Sequence, residues 1–172
     1  HDLGDGSCTF GPQERERFEQ ERSHLFTENA GAGERNGVMA AKLARDKGLT
    51  ILRLASADNT RQAQRQSCER FGQHRRVVHL VQGAPAMIIS NLCTVAGLVN
   101  GATGTVLAVK LKETLRREEM PGAVSAADVE YVVMDVPKYR GPVIFPDHPT
   151  WVPIAPQSVR HDQCKGMERL QL

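Results

Sequence analysis

The sequence predicts an α/β protein with a small β-barrel inserted in its second half. Three observations carry that expectation. A strand, a polar turn, a helix and a strand follow one another between residues 24 and 54, the pattern of a βαβ-like unit. From residue 105 to residue 154, short Val-rich runs recur at close spacing between Gly and Pro turn signals, as in a small barrel. The length of 172 residues, with 40% apolar and 24% charged residues, suits one globular domain with a small insertion.

Residues 1–11, with Gly4, Gly6 and Gly11 among polar residues, read as a loose lead-in. Pro12 then suits the first turn of a charged, solvated helix over 13–22, with Phe18 and Leu25 able to share one apolar face. His24 to Thr27 reads as a short strand, and 28–36 as a polar turn. The spacing predicts a helix from Glu34 to Lys47, with Val38, Met39 and Leu43 facing the core and Gly48 as its terminator. Leu49 to Leu54 is the next strand. The polar stretch Ala57–Gln73 reads as a surface helix or linker, whose Arg61 and Arg65, with Arg75 and Arg76 just beyond, are either solvated or available to phosphates. Val77 to Val81 leads into the stretch around which the chain is organised.

That stretch runs from Gly83 to Val106. Met87-Ile88-Ile89, between Pro85 and Asn91, reads as a short buried strand. Asn100-Gly101 is a turn signal, because both residues tolerate positive φ. Gly104 marks a bulge or a close backbone approach before a strand at Val106–Val109. Gly83-x-x-x-Met87-x-x-x-Asn91-Leu92, followed by Gly97-Leu98-Val99-Asn100-Gly101-x-x-Gly104-x-Val106, resembles a segment of Pif-type helicases and their RecD-like relatives in superfamily 1. In that family the strand belongs to the second RecA-like motor domain, and the Asn-Gly turn leads into an inserted SH3-like barrel. The family often carries a basic residue before the Asn, where this chain has Ser90. Thr27, Asn29 and Asn36 match the opening of the same motor domain, while Ala30-Gly31-Ala32-Gly33 departs from its usual acidic turn.

The resemblance implies a fragment of an ATP-dependent DNA helicase of DNA repair and recombination. Residues 1–95 would be the N-terminal part of the second motor domain, 96–160 the SH3-like insertion and 161–172 the start of the return to the motor. Its partners would be single-stranded DNA and the rest of the motor, with no membrane, in an intracellular setting: the nucleus or mitochondrion in a eukaryote. A track must hold a DNA backbone without reading its sequence, which calls for polar side chains, cations and an occasional ring. The DNA-binding candidates are therefore Thr27, Asn29, Asn36, Asn91, Lys110, Lys112, Arg116, Arg117, Tyr139 and Arg140, and the structural turn residues are Gly83, Asn100, Gly101 and Gly104.

The remainder fits the barrel. Lys110 to Glu119, closed by Pro121-Gly122, reads as a protruding hairpin or loop, Val129–Val136 as a strand, 137–142 as a loop and Trp151–Ile154 as a final strand. Arg169-Leu170-Gln171-Leu172 stands where related helicases begin their next motor strand. The chain starts at His1 without an initiator Met and reads as a piece of something longer.

Other chemistries find little support. A net charge of +2 does not by itself mark a nucleic-acid binder. No apolar run approaches the ~20 residues of a membrane span. The 4 cysteines are scattered, which fits reduced thiols. His161-x-x-Cys164 and the Cys68, His74, His79 set lack a matched second pair for zinc. There is no G-x-x-x-x-G-K-[ST] loop, so no ATP hydrolysis is expected of this chain alone, and no cofactor. ATP and Mg belong to a full-length helicase. Two rival readings remain: a stand-alone SH3-like binding module, and a dinucleotide-binding fragment built on Gly31-x-Gly33-x-x-x-Gly37 with Asp58.

Overall fold

The computed structural model describes residues 29–113 and 123–172. The chain divides into two compact units, residues 1–39 and 40–172. Helix α1, Asn29–Lys47, runs across that division, and every other described element belongs to the second unit.

Helix α1 starts earlier than Glu34, because the small residues expected to turn at 30–33 continue the helix instead. Gly31 and Gly33 therefore lie inside a helix and form no glycine loop, which removes the cradle that the dinucleotide reading needs. Arg45 and Lys47 occupy the last turn, where cations face the negative end of the helix dipole. Gly48 follows at φ +63°. The helix has no continuous apolar stripe, so pattern alone does not choose its inner face. Ala44 is buried, while Val38, expected in the core, is exposed.

The strands are β1 Leu52–Ala55, β2 Ala57–Asp58, β3 Val77–Leu80, β4 Pro85–Met87, β5 Thr103–Leu111, β6 Val124–Ser125, β7 Val129–Asp135, β8 Trp151–Ile154, β9 Gln157–Arg160 and β10 Glu168–Gln171. A short helix α2, Arg61–Arg65, and 3-10 turns at Cys68–Phe71, Thr94–Ala96 and Ala126–Asp128 connect them. The fold is mixed α/β and dominated by sheet. Three sheets form, in the orders β3-β1-β6, β2-β10-β9 and β4-β5-β7-β8. The last is wholly antiparallel. Among the described residues no sheet closes into a barrel. Its edge strands β4 and β8 each contain a proline, Pro85 and Pro153, which has no N–H to give to a further strand.

One core joins two of these sheets. Leu54 of β1 and Val124 of β6 pack with Val106, Val132, Met134 and Val152 of the four-stranded sheet. β-branched side chains dominate it, as the sparse aromatics require. Within the expected strand at 87–89 the outcome differs: Met87 is exposed and Ile88 is buried. Side chains alternate along β4, and Ile88 has left the ladder, its N–H donating to the Ala102 carbonyl (2.8 Å).

Two further expectations are corrected. Of the two readings of the polar stretch 57–73, the surface helix holds and the linker does not: α2 is exposed except at Ala63, which is buried with Phe71 and Met167 in a second small core. Trp151–Ile154 is not the final strand, because β9 and β10 follow and pair with each other. Met167 lies far along the chain from Ala63 and Phe71, and β10 also pairs with the distant β2, contacts that local pattern does not display.

Candidate nucleic-acid interface

The proposed track residues fall into separate groups. Thr27, Arg116 and Arg117 lie outside the described residues. Asn29 is the first residue of α1, and Asn36 lies about two turns further along, exposed. Asn36 thus sits within the helix and not at its opening turn, because the helix begins before the glycines.

A second group gathers around the connection from β4 to β5. Asn91 Oδ1 accepts the Asn100 N–H (2.9 Å), which ties off the segment between them. Inside it Cys93 and Leu98 form an antiparallel bridge, and the 3-10 turn Thr94–Ala96 makes the tip. Val95 stands at that tip, 89% exposed. The Asn-Gly turn closes at Gly101, where φ is +89°, a region costly for any residue with a Cβ. The Gly101 N–H donates to Ile88 O (2.8 Å) and Ala102 N–H to Val99 O (2.9 Å). A Cβ at Gly104 would collide with the Asp135 carbonyl oxygen on the neighbouring strand. Close approach is therefore its role, since the register irregularities of the β5–β7 pair fall later, between Val106 and Ala108 and between Lys110 and Leu111. At the start of the stretch, the Gly83 N–H donates to Val106 O (2.7 Å), which continues the β4–β5 ladder.

The loop after β7 braces this tip. The Arg140 N–H donates to Ala96 O (2.9 Å), and a side chain at Gly97 would run into the Lys138 carbonyl. Arg140 and Lys138 are exposed. Tyr139 was expected as a ring open to a base. It packs against the main core instead, with its hydroxyl donating to the Pro142 carbonyl (3.0 Å). Of the original candidates, the structure brings Asn91, Tyr139 and Arg140 together.

Lys110 and Lys112 belong elsewhere. They lie at the far end of β5 and just past it, roughly 30 Å or more along the chain from the Asn-Gly turn. Lys110 is exposed opposite Tyr131. Lys112 Nζ donates to the Ala127 carbonyl (2.6 Å), and its N–H donates to Asp128 O (2.9 Å). That side chain straps the 3-10 turn at 126–128 and is not a free cation.

Sequence reasoning missed the most buried polar constellation. Arg169 on β10 has no exposed surface. Its Nε donates to Asp58 Oδ1 (2.7 Å), Nη1 to His74 O (3.0 Å) and Nη2 to Ala63 O (3.0 Å). The guanidinium lies 4.3 Å from the centroid of the Phe71 ring, and Ser56 Oγ donates to the other Asp58 oxygen (2.8 Å). Gln171, two residues on and on the same face, donates to Arg75 O (2.9 Å). The signal was the alternation Arg169-Leu170-Gln171-Leu172, which puts two long polar side chains on one side of a strand. The Arg169 and Gln171 side chains are fully buried and the Asp58 side chain is 2% exposed, so this constellation is architectural.

Two of the histidines in the zinc-like spacings, His161 and His74, have backbone partners. His161 Nδ1 accepts N–H bonds from Gln163 and Cys164 (3.1 and 3.0 Å). His74 Nδ1 lies 2.9 Å from the Phe71 carbonyl, to which it donates. Among the described residues no group of three or more His, Cys, Asp or Glu side chains is placed to hold a metal ion. No described helix is long and apolar enough to cross a membrane. In comparisons with known proteins, no family model and no curated sequence matches the chain.

Proposed function

We propose that the chain is part of the second RecA-like motor domain of an ATP-dependent DNA helicase, with an SH3-like insertion, and that it contributes contacts to single-stranded DNA. The observation that carries this reading is the geometry of the Gly83–Val106 stretch. The residues that resemble the Pif-type segment have backbone duties there: Gly101 at positive φ, Gly104 against the Asp135 carbonyl, and Asn91 closing the loop onto Asn100. The exposed cations Lys138 and Arg140 beside that loop supply charge for phosphates. In this role ATP and Mg serve the whole motor, and this chain holds no hydrolytic loop.

A free-standing SH3-like module is less well supported. β6 lies between β5 and β7 in sequence, yet pairs in parallel with β1, with Leu54 opposite Val124. Leu54 also shares the core of the four-stranded sheet. The sheet is thus stitched to residues that a separate module would leave behind.

The test is fluorescence anisotropy with a labelled single-stranded oligonucleotide at low and high salt. We expect weak binding that falls as salt rises and that weakens further in Arg140→Ala and Lys138→Ala, with little dependence on base sequence. No binding at low salt would remove the reading.

A further inference from the structure

The loop from Val136 to Thr150 closes on itself through the Val136 N–H to Thr150 O bond (2.9 Å) and carries a pile of rings at its return. His148 stacks on Trp151 with centroids 3.6 Å apart and planes 8° from parallel. Phe145 meets the same Trp151 at 6.2 Å and 65°. The backbone holds the pile in place: the His148 N–H donates to Phe145 O (2.9 Å) and the Trp151 N–H to His148 O (3.1 Å). The rings are thus ordered before any ligand arrives.

His148 is exposed, and one of its faces is taken by Trp151. It therefore offers a flat π surface to solvent. Val143 (57% exposed) and Ile144 (49%) extend an apolar surface in the same loop. Lys138 and Arg140 stand in this loop against one carboxylate, Asp147, and neither cation has a side-chain partner among the described residues. A flat ring surface with surplus positive charge suits an unpaired base on a phosphate backbone better than it suits an apolar protein segment, since every base has a π face and needs no sequence match.

We propose that the His148–Trp151 pair is a stacking platform for one unpaired nucleobase of single-stranded DNA, with Lys138 and Arg140 meeting its phosphates. This rests on the DNA-binding reading above and adds a base contact that phosphate binding does not require.

Trp151 is the single tryptophan of the chain, so its emission reports on the platform. The probes are a short oligothymidine and an abasic oligonucleotide of equal length, each titrated into the 172-residue chain at low salt. Oligothymidine should quench Trp151. The abasic strand should bind roughly 5- to 150-fold more weakly and leave the emission unchanged, the range expected for one lost base stack. By anisotropy, His148→Ala should lose a similar factor for oligothymidine and none for the abasic strand. His148→Tyr, which keeps a ring, should retain affinity. Equal binding of the two strands with no quenching would overturn the platform and leave the DNA-binding reading standing. Absence of binding to either strand would overturn both. A protein partner that binds in place of DNA and loses affinity in His148→Ala would likewise overturn the platform.

Discussion

Arg169 shows how far a single residue can depart from its usual place. An arginine in a polar tail is ordinarily solvated, yet here it is fully buried with a carboxylate, backbone carbonyls and a ring around it. Such a cluster is fully satisfied only as a set. Arg169→Ala leaves the Asp58 carboxylate buried without its partner and should cost about 3–5 kcal/mol in chemical denaturation. Replacing Arg169 by Met together with Asp58 by Leu should cost less than Arg169→Ala alone, because no charge is then stranded. Equal losses in the two variants would show that packing on Phe71, and not the buried pair, sets the stability. At Asn91 the residue scale also changes the functional reading. Its carbonyl oxygen is committed to the Asn100 N–H, so Asn91→Ala would disturb the loop as well as any DNA contact.

At the scale of elements, the β4–β5 connection depends on two glycines for different reasons. Gly101→Val should destabilise by more than ~1 kcal/mol, because a β-branched residue strains at φ +89°. Gly104→Ala faces a different obstacle: its methyl group meets the Asp135 carbonyl, a backbone atom held in the β5–β7 pair, and should cost about 1–3 kcal/mol. Urea titrations of both variants test this, and an unchanged midpoint in either would remove the corresponding role. The turn was legible in the sequence because Asn-Gly encodes a local backbone geometry. The edges of β4 were less so: apolar content marked 87–89, while hydrogen bonding selected Pro85–Met87.

For the whole molecule, the shared core predicts that residues 96–160 do not fold when excised. That piece loses β4 from one edge of its sheet, β1 from beside β6, and β10 from beside β9. Narrow amide-proton dispersion in a one-dimensional NMR spectrum of the excised piece is the expected result, and a dispersed spectrum would show an autonomous module. The full 172-residue chain, lacking a P-loop, should show no DNA-stimulated ATP turnover once contaminants are removed. Turnover that survives purification would mean that phosphate is held by a structure other than a P-loop.

By itself the sequence determined what local chemistry can write. Apolar runs placed β1, β5, β7 and β8, Gly48 ended the helix, and Asn100-Gly101 made the turn. It also identified Asn91 and Arg140 as residues of interest, though not that one would tie a loop and the other brace it. Tertiary structure alone decided the rest. Within the otherwise mostly exposed polar stretch 57–73, Ala63 and Phe71 became buried because they met Met167, roughly a hundred residues later. Strand β10 pairs with the distant β2 as well as with its hairpin neighbour β9, and Arg169 went inside because Asp58 and three carbonyls waited there. The physical reason is common to all of these. Burial of a polar or weakly apolar segment is stable only when distant groups complete its hydrogen bonds and packing, and a linear pattern does not show which distant groups those will be.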